Sequence, residues 1–352
     1  MKHIPNSRPY LDSEDRAAVQ EVLLSGDLAA GADIEAFESE FAAYVGMSDA
    51  VAVSSGFAAL HLALLAVDIR PGDEVIVTCV STCAAIRDAI LAVGATPIFV
   101  DTEASTFNLC SDSVKAAMSP RIRAIVCPHH TGIVADLDTL TTFGVPVIED
   151  CSQALGAEYR GRPVGSFGTV ATFSFYPTKM LTTIDGGAVT SRDPEIARRV
   201  RDLRYYGGKW DSLPRYNYKM QNLHAALGRR QLGKLPFFLD RRQQIGQRYR
   251  QTVIGAGLSE RACLHRDGYG IYFSFALRVS AEGRDELLRV LRSQAVPCRT
   301  EVGFLCPDPG RYPAARQLSA ETITFPTYPS LTDPELDEIL GGLDSALRAF
   351  AT

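Results

Sequence analysis

The first half of the chain alternates short apolar runs with segments whose apolar residues recur at helical spacing. The runs are continuously apolar rather than alternating, as is typical of strands covered on both faces. They predict strands at 50–53, 74–77, 97–100, 122–127 and 146–148. Between them, helices are predicted at 58–67, 83–93, 111–118 and 136–143. This order predicts a mostly parallel sheet covered by helices.

From position 169 onward the regular alternation of apolar runs and helical patterns changes. Two more apolar runs, at 169–176 and 187–190, predict strands on either side of a loop, which brings the sheet to a seven-stranded type. Later patterns predict helices at 194–203, 221–253, 284–294 and 333–350, and strands at 271–279 and 322–324. The fold class is therefore α/β, with a large domain at 1–235 and a small C-terminal α/β domain at 236–352.

Composition and charge narrow the function classes. The 352 residues are 46% hydrophobic and 22% charged, which is ordinary for a globular protein with a sizeable core. Because 36 Lys and Arg face 41 Asp and Glu, no basic surface for nucleic acid is expected. The start has no apolar signal segment, and no run is long enough to span a bilayer. We expect a cytoplasmic protein without a membrane partner.

The cysteines give no sign of a metal site or a disulfide framework. The eight cysteines contain no CxxC pair, so reduced and buried thiols are expected. Cys127, His129 and His130 lie close together in the sequence. They lack a second ligand cluster at metal spacing, and we therefore expect no metal.

A small-residue turn, Ser54-Ser55-Gly56-Phe57-Ala58, joins a predicted strand to a predicted helix. The N-terminus of a helix presents unpaired N–H groups and the positive end of its dipole, which suits a phosphate. Many strand-to-helix turns have the same composition, so an ordinary turn is the alternative.

Two further side chains follow predicted strands. Asp150 follows the run at 146–148 and is expected to emerge at the carboxyl edge of the sheet, where open α/β folds bind ligands. A carboxylate there can pair with a protonated pyridine nitrogen, although a helix-capping aspartate is the alternative. Lys179 follows Ser174 and precedes Gly186-Gly187. A deprotonated lysine amine can attack a carbonyl, and a surface lysine is the alternative. Taken together, these pieces favour a pyridoxal 5'-phosphate (PLP) site.

The chain resembles, nearly end to end, the DegT/StrS group of PLP-dependent sugar aminotransferases, which have the fold of type I PLP transferases. The segments that carry the resemblance are Ser7-Arg-Pro-Tyr-Leu11, Ser55-Gly56, Pro71-Gly-Asp-Glu-Val-Ile-Val77, Gly94-Ala-Thr-Pro-Ile-Phe-Val-Asp101, Glu149-Asp-Cys-Ser-Gln-Ala-Leu-Gly156, Ser174-Phe-Tyr-Pro-Thr-Lys179, Asp185-Gly-Gly187, Tyr216-Asn-Tyr-Lys-Met220 and Phe325-Pro-Thr-Tyr-Pro329.

The resemblance implies a role for each matching residue. Lys179 is expected to bind the cofactor covalently and then to move a proton between the carbons of substrate and cofactor. Asp150 is expected at the pyridine nitrogen and Gln153 near the ring oxygen. The phosphate is expected at Ser174 and at the turn formed by Gly56, Phe57 and Ala58, with the N–H groups of Phe57 and Ala58 as donors.

The resemblance implies roles for two further positions, and several positions depart from the family pattern. Asn217 matches a position that reaches the phosphate of the neighbouring subunit, which implies a homodimer with shared sites. His129 matches a histidine near the cofactor, with a structural histidine as the alternative. The departures are Phe57 for a small hydroxyl residue, Cys83 for the aromatic that stacks on the pyridine ring, Lys219 for an arginine, and the segment 300–306, which lacks a histidine.

The resemblance implies transfer of an amino group from glutamate or glutamine to a keto sugar, often a nucleotide-linked one. A ketocyclitol or a non-sugar ketone is an alternative acceptor. A PLP sugar dehydratase of the same fold is a second alternative, although it is expected to replace Lys179, typically by histidine. A non-catalytic regulatory protein that keeps the fold is a third, supported by Phe57 and Cys83.

Overall fold

The structure, a computed structural model, describes residues 4–259, 262–265, 270–300 and 302–351. The strands are β1 (Ala50–Val53), β2 (Glu74–Thr78), β3 (Val80–Ser81), β4 (Thr96–Val100), β5 (Ile122–Pro128), β6 (Val147–Asp150), β7 (Glu158–Tyr159), β8 (Arg162–Pro163), β9 (Val170–Ser174), β10 (Gly187–Thr190), β11 (Phe275–Arg278), β12 (Gly303–Phe304) and β13 (Thr322–Phe325). The helices are α1 (Ser13–Ser25), α2 (Ala32–Tyr44), α3 (Gly56–Ala66), α4 (Ala85–Ala92), α5 (Ser111–Ala117), α6 (Leu137–Leu140), α7 (Pro194–Leu203), α8 (Asn222–Gly233), α9 (Leu235–Gly255), α10 (Ala281–Ser293), α11 (Pro313–Glu321) and α12 (Asp333–Ala351).

A seven-stranded sheet runs through the large part of the chain in the order β1-β10-β9-β6-β5-β2-β4. Its neighbours pair in parallel except at β10, which is antiparallel to both β1 and β9. These are the seven strands that the apolar runs predict, and the mostly parallel α/β fold is confirmed.

Both faces of this sheet are buried because its strands are apolar at successive positions. Val51 and Val53 point to a hydrophobic cluster that includes residues of α3, α4 and α7. Ala50 and Ala52 alternate with them and point to the other face, where Phe41 of α2 packs. The carboxyl ends of the parallel strands are consequently held rigidly at one edge, and the candidate site lies there.

The prediction of one continuous helix at 221–253 is wrong. The structure has two helices, α8 and α9, which meet at Lys234. The cause is Pro236, in the first turn of α9, because proline has no N–H for the helix ladder and clashes with the preceding turn. A helix tolerates proline in its first turn, so α8 ends before Pro236 and a new helix begins there.

Several elements lie outside the predicted pattern. The helices α1, α2 and α11 were not predicted; α1 begins at a capping box in which the Asp12 side chain accepts the Glu14 and Asp15 N–H groups. The two-residue strands β3 and β12 pair antiparallel through Val80 and Phe304. This pairing holds part of the segment 300–306, in which the resemblance leads one to expect a histidine, beside the loop that contains Cys83. Position 301 of that segment lies outside the described residues.

The C-terminal part builds a hydrophobic cluster of its own around the antiparallel pair β11–β13. Tyr249 of α9, Leu277 of β11, Leu291 of α10 and Leu343 of α12 meet in it and are fully buried. The division at 235/236 stays a prediction. Among the residues that the structure covers, no helix combines the length and apolar character needed to cross a membrane.

Candidate active site

The site is assembled at the edge where the parallel strands end. In the sheet, Val53 of β1 pairs with Gly187 of β10, and Gly187 pairs with Ser174 of β9. Asp150 ends β6 two strands away from β10. This register brings the Ser55-Gly56 turn, Ser174 and Asp150 to one side of the sheet, around a cavity of about 450 Å³.

Gly56 and Ser174 are in close contact at the N-terminus of α3. A Cβ on Gly56 would lie 2.7 Å from Cβ and 2.9 Å from Oγ of Ser174, so only glycine fits. Ser174, Gly56 and Phe57 all line the cavity. The hydroxyl of Ser174 therefore stands beside the positive end of the α3 dipole, which is where an anion is stabilised.

Ala58 is predicted to donate its N–H to the phosphate, and in this structure that N–H already has an acceptor within the protein. Ala58 is buried and does not line the cavity, and its N–H donates to Oγ of Ser55 at 3.1 Å. Ser55 is thus the N-cap of α3, and its hydroxyl takes up one of the unpaired N–H groups of the first turn. In this structure, Phe57 rather than Ala58 is placed to offer an N–H to a ligand.

Asp150 and Gln153 lie side by side in the cavity wall, both 7% exposed. Oδ1 of Asp150 accepts the Ser152 N–H at 3.0 Å, while no donor among the described residues reaches Oδ2. Gln153 is held at both ends of its amide: Oε1 accepts the Thr131 N–H at 2.7 Å, and Nε2 donates to Oγ1 of Thr82 at 2.8 Å. The free carboxylate oxygen can accept a hydrogen bond from a ligand.

Lys179 is half-buried and lines the same cavity as Asp150. Its backbone N–H donates to the Tyr176 carbonyl at 2.9 Å, which fixes the turn after β9. Its Nζ lies 5.4 Å from the centre of the Phe273 ring. The amine and the carboxylate that the motifs single out are therefore brought together in one cavity.

His129 lies in the wall behind the cavity and is fully engaged with the protein. Nδ1 accepts the Ala135 N–H at 3.2 Å, so Nε2 carries the proton that it shares with Glu149 at 3.3 Å. Burial raises the pKa of the Glu149 carboxyl, but this hydrogen bond and the N–H groups of Gly165 and Gly168 outweigh burial and hold the pKa below its ordinary value.

The ligand atoms of His129, Glu149 and Cys151 lie within 4.8 Å of one another. Both nitrogens of His129 and both oxygens of Glu149 already have hydrogen-bond partners. The cluster is therefore a structural hydrogen-bond network, and the geometry favours the structural alternative for His129.

Replacing Glu149 with glutamine is expected to destabilise the fold by about 3 kcal/mol, because an amide NH₂ would face buried donors. Since the folded-state pKa of Glu149 is lowered, its stabilisation is present above the unfolded-state pKa of about 4.3 and is lost as pH falls through the folded-state value. Urea unfolding midpoints of wild type and Glu149→Gln should converge toward acid pH. A gap independent of pH would contradict this, and Glu158→Gln, at an exposed position, serves as control.

Two of the predicted cofactor-binding residues, Cys83 and Asn217, are exposed to solvent. Cys83 is exposed, lines the cavity and gives it no aromatic ring at the position expected to stack on the pyridine. The helix predicted from 83 begins at Ala85, so Cys83 lies in the loop before it. Asn217 is exposed and does not line the cavity of its own chain.

The C-terminal half supplies cavity residues that the motifs did not single out. Arg242 of α9, Phe273 and Ser274 before β11, and Arg299 before β12 line it from that side. Arg242 had a signal in the sequence, because it falls in the apolar stripe of α9 with Phe238 and Ile245. A charged residue in such a stripe indicates a functional or structural role.

Pyridoxal phosphate fits these residues. The cavity volume is in the range of small-molecule sites. Gly56, Phe57 and Ser174 line it at a helix N-terminus, where a phosphate is stabilised. No donor among the described residues reaches Oδ2 of Asp150. Lys179 supplies the amine that a carbonyl cofactor requires.

Comparison with known proteins agrees with this geometry. The model of the DegT/DnrJ/EryC1/StrS aminotransferase family matches residues 9–344. The chain is 33% identical to the spore coat polysaccharide biosynthesis protein SpsC of Bacillus subtilis, over 96% of this chain and 95% of that protein. It is 32% identical to GDP-perosamine synthase of Caulobacter vibrioides, over 99% of both.

The fold agrees with a solved structure as well. The PLP form of Spr1654 from Streptococcus pneumoniae matches with a TM-score of 0.91 and 27% identity, covering 99% of this chain and 100% of that one. Since the family match runs nearly the whole length of the chain, the chain belongs to the DegT/DnrJ/EryC1/StrS aminotransferase family and is a PLP-dependent aminotransferase.

Proposed function

We propose that this enzyme moves an amino group from glutamate or glutamine to a keto sugar that is linked to a nucleotide. The observation that carries the proposal is the meeting of Lys179, Asp150 and the Gly56–Ser174 contact in one cavity. Bound PLP supplies a carbonyl that condenses with amines and a ring that accepts electron density. The protein residues position the reactants and move the protons.

Lys179 is proposed to carry the cofactor and to take and return the proton at its Nζ. Its half-buried side chain lies beside the Phe273 ring, which places the amine in the cavity that Asp150 also lines. A lysine at this position also speaks against the sugar dehydratase, which is expected to have histidine there.

Asp150 and Gln153 are proposed to hold the cofactor ring. The free Oδ2 of Asp150 would accept the pyridinium N–H, and its negative charge would keep the ring nitrogen protonated. Gln153, fixed by Thr131 and Thr82, would lie near the ring oxygen. A regulatory protein has no use for such a carboxylate, so this pair supports the enzyme.

Gly56 and Ser174 are proposed to hold the phosphate with the Phe57 N–H. Replacing Gly56 with alanine is expected to weaken PLP binding by about 10-fold or more, because the new Cβ would push the Ser174 hydroxyl out of place. Fluorescence titration of the apo-protein with PLP measures the effect. Gly233→Ala is the control, since a Cβ there meets nothing within 4 Å; equal affinity of the two variants would contradict the assignment.

The nucleotide-linked acceptor is supported by charge as well as by similarity. Arg299 lines the cavity with an exposed side chain and has no acidic partner among the described residues, so it can meet a phosphate at the entrance. GDP-perosamine synthase, a 32% identical relative, carries a nucleotide-linked sugar in its name.

A panel of donors and acceptors tests the function. We expect L-glutamate or L-glutamine to convert the PLP-loaded protein to its amino form, which then aminates a nucleotide-linked keto sugar, as seen by product mass. If only free ketocyclitols or simple ketones are aminated, the acceptor is not a nucleotide-linked sugar. If the protein takes up no PLP, the regulatory alternative is supported.

A homodimer with shared sites is also proposed. Asn217 is exposed in its own chain, and the preceding segment presents Tyr206 and Trp210, which are 55% and 97% exposed. Large exposed aromatic side chains indicate a surface that another chain can cover. Sedimentation analysis of the PLP-loaded protein measures the assembly, and a monomer would remove the role of Asn217.

A further inference from the structure

Arg242 is a buried cation that faces the cavity. Its side chain is 3% exposed and has no acidic partner among the described residues. Nη1 donates to the Phe273 carbonyl at 2.9 Å, to Oγ1 of Thr327 at 3.1 Å and, more weakly, to the Tyr272 carbonyl at 3.4 Å. Nε has no partner among the described residues. Its neighbour in sequence, Arg241, instead pairs with Asp333 at 2.7 Å.

A buried guanidinium without a counter-charge is unfavourable, and burial lowers the pKa of Arg242 to about 9. These three neutral acceptors fix its orientation but bring no negative charge. Because Arg242 also lines the cavity, a bound anion can supply the missing charge. Arginine is well suited to this task, since its planar fork binds a carboxylate through two parallel hydrogen bonds.

Two unpaired hydroxyls lie in the same wall. Ser274 and Tyr328 directly follow Phe273 and Thr327, the residues to which Arg242 donates. Both line the cavity, and the hydroxyl oxygens of both are buried without a hydrogen-bond partner in the part of the chain that the structure describes. Burial raises the pKa of Tyr328 to about 12, so it keeps its proton and can donate. This wall of the cavity thus combines a cation that has no acidic partner with two hydroxyl donors that have no acceptor among the described residues.

The Phe273 ring relates this wall to the reactive amine. Nζ of Lys179 lies 5.4 Å from the ring centre, and Cζ of Arg242 lies 5.9 Å from it. A small molecule in contact with this ring can therefore reach both cations. An α-amino acid has the matching chemistry, because its amine reacts and its carboxylate carries the charge.

We propose that Arg242, with the hydroxyl of Ser274, binds the carboxylate of the amino donor, which would make the donor an amino acid rather than a simple amine. The inference rests on the proposed aminotransfer. The exposed Arg299, by contrast, suits the phosphates of a large acceptor at the cavity entrance. Arg242 would therefore recognise the amino donor, and Arg299 would recognise the acceptor.

Binding of 2-oxoglutarate to the PLP-loaded protein, measured by calorimetry, tests the site without turnover. Arg242→Lys keeps the charge but loses the fork, and we expect it to weaken binding by about 10- to 100-fold. Ser274→Ala removes a hydroxyl that has no protein partner. It is expected to preserve the fold and to weaken binding by about 3- to 10-fold. Arg241→Lys, on the same helix, is the matched control and should bind as wild type does.

Measuring the two half-reactions separately shows which substrate Arg242 binds. In single turnover, Arg242→Lys should need more L-glutamate to convert the PLP form, while amination of the acceptor by the amino form stays unchanged. Binding by Arg242→Lys equal to wild type, or a defect confined to the acceptor, overturns the proposal. If Arg242→Lys does not fold, Ser274→Ala decides by the same criteria. If wild type binds 2-oxoglutarate through Arg242 but transfers no amino group, the proposed function fails and the carboxylate site stands.

Discussion

Replacing Lys179 with alanine is expected to reduce amino transfer by about 10⁴-fold, the upper range for the loss of a proton-transferring group. Lys179 shares its cavity with Asp150 and is proposed both to carry the cofactor and to move the proton. Steady-state assays with L-glutamate and the acceptor identified from the panel measure the loss. Lys179→Arg, which keeps the charge and length but cannot condense with a carbonyl, should be equally inactive.

Chemical trapping separates this role from a structural one. After borohydride reduction of the wild type, mass spectrometry should find a pyridoxyl group on the peptide that contains Lys179, and none in Lys179→Ala. Lys115→Ala, at an exposed position of α5, is the control and should retain label and activity. A pyridoxyl group on another lysine, or an active Lys179→Arg enzyme, would contradict the assignment.

The central sheet was predictable because its strands have a strong local signal. Runs such as 50–53 and 146–148 are apolar at consecutive positions, as strands buried on both faces typically are. The two-residue strands β3 and β12 carry no such pattern. They form because tertiary contacts bring Val80 and Phe304 together, and no local sequence rule contains that information.

The site was predictable where a residue directly follows a strand. Asp150 and Ser174 end parallel strands, so the topology alone places them at one edge. Ala58 was not predictable in the same way, because its N–H donates to the side chain of Ser55, and the rotamer of that side chain is not contained in the sequence pattern. The sequence indicates that a helix N-terminus is present, but not which of its N–H groups is free.

Arg242 shows a different limit. The buried face of α9 includes Leu235, Phe238, Arg242, Ile245 and Tyr249, and the arginine interrupts an otherwise apolar helical spacing. The spacing can indicate that Arg242 is buried. That its Nη1 is held by Phe273 and Thr327 follows only from segments folded against α9 from far along the chain, so the sequence alone did not place it in the cavity.

Replacing Asp150 with asparagine is expected to reduce turnover by about 10²–10³-fold, with most of the protein still folded. The amide has nearly the same shape, and its oxygen can still accept the Ser152 N–H that Asp150 receives. It lacks the negative charge needed to hold the pyridine nitrogen protonated, so the ring withdraws electrons less strongly. Asp112→Asn, at an exposed position of α5, is the matched control.

A modified cofactor distinguishes the charge of Asp150 from its other contacts. Asp150→Ala makes space at the ring nitrogen, and PLP methylated at that nitrogen carries a permanent positive charge. This analogue should recover at least about 10-fold of the activity that Asp150→Ala loses with PLP, because the charge no longer depends on the carboxylate. In the wild type the same analogue should be poor, since its methyl group would meet the Asp150 carboxylate. If the analogue binds to Asp150→Ala without any gain in turnover, the carboxylate does not act through the ring nitrogen.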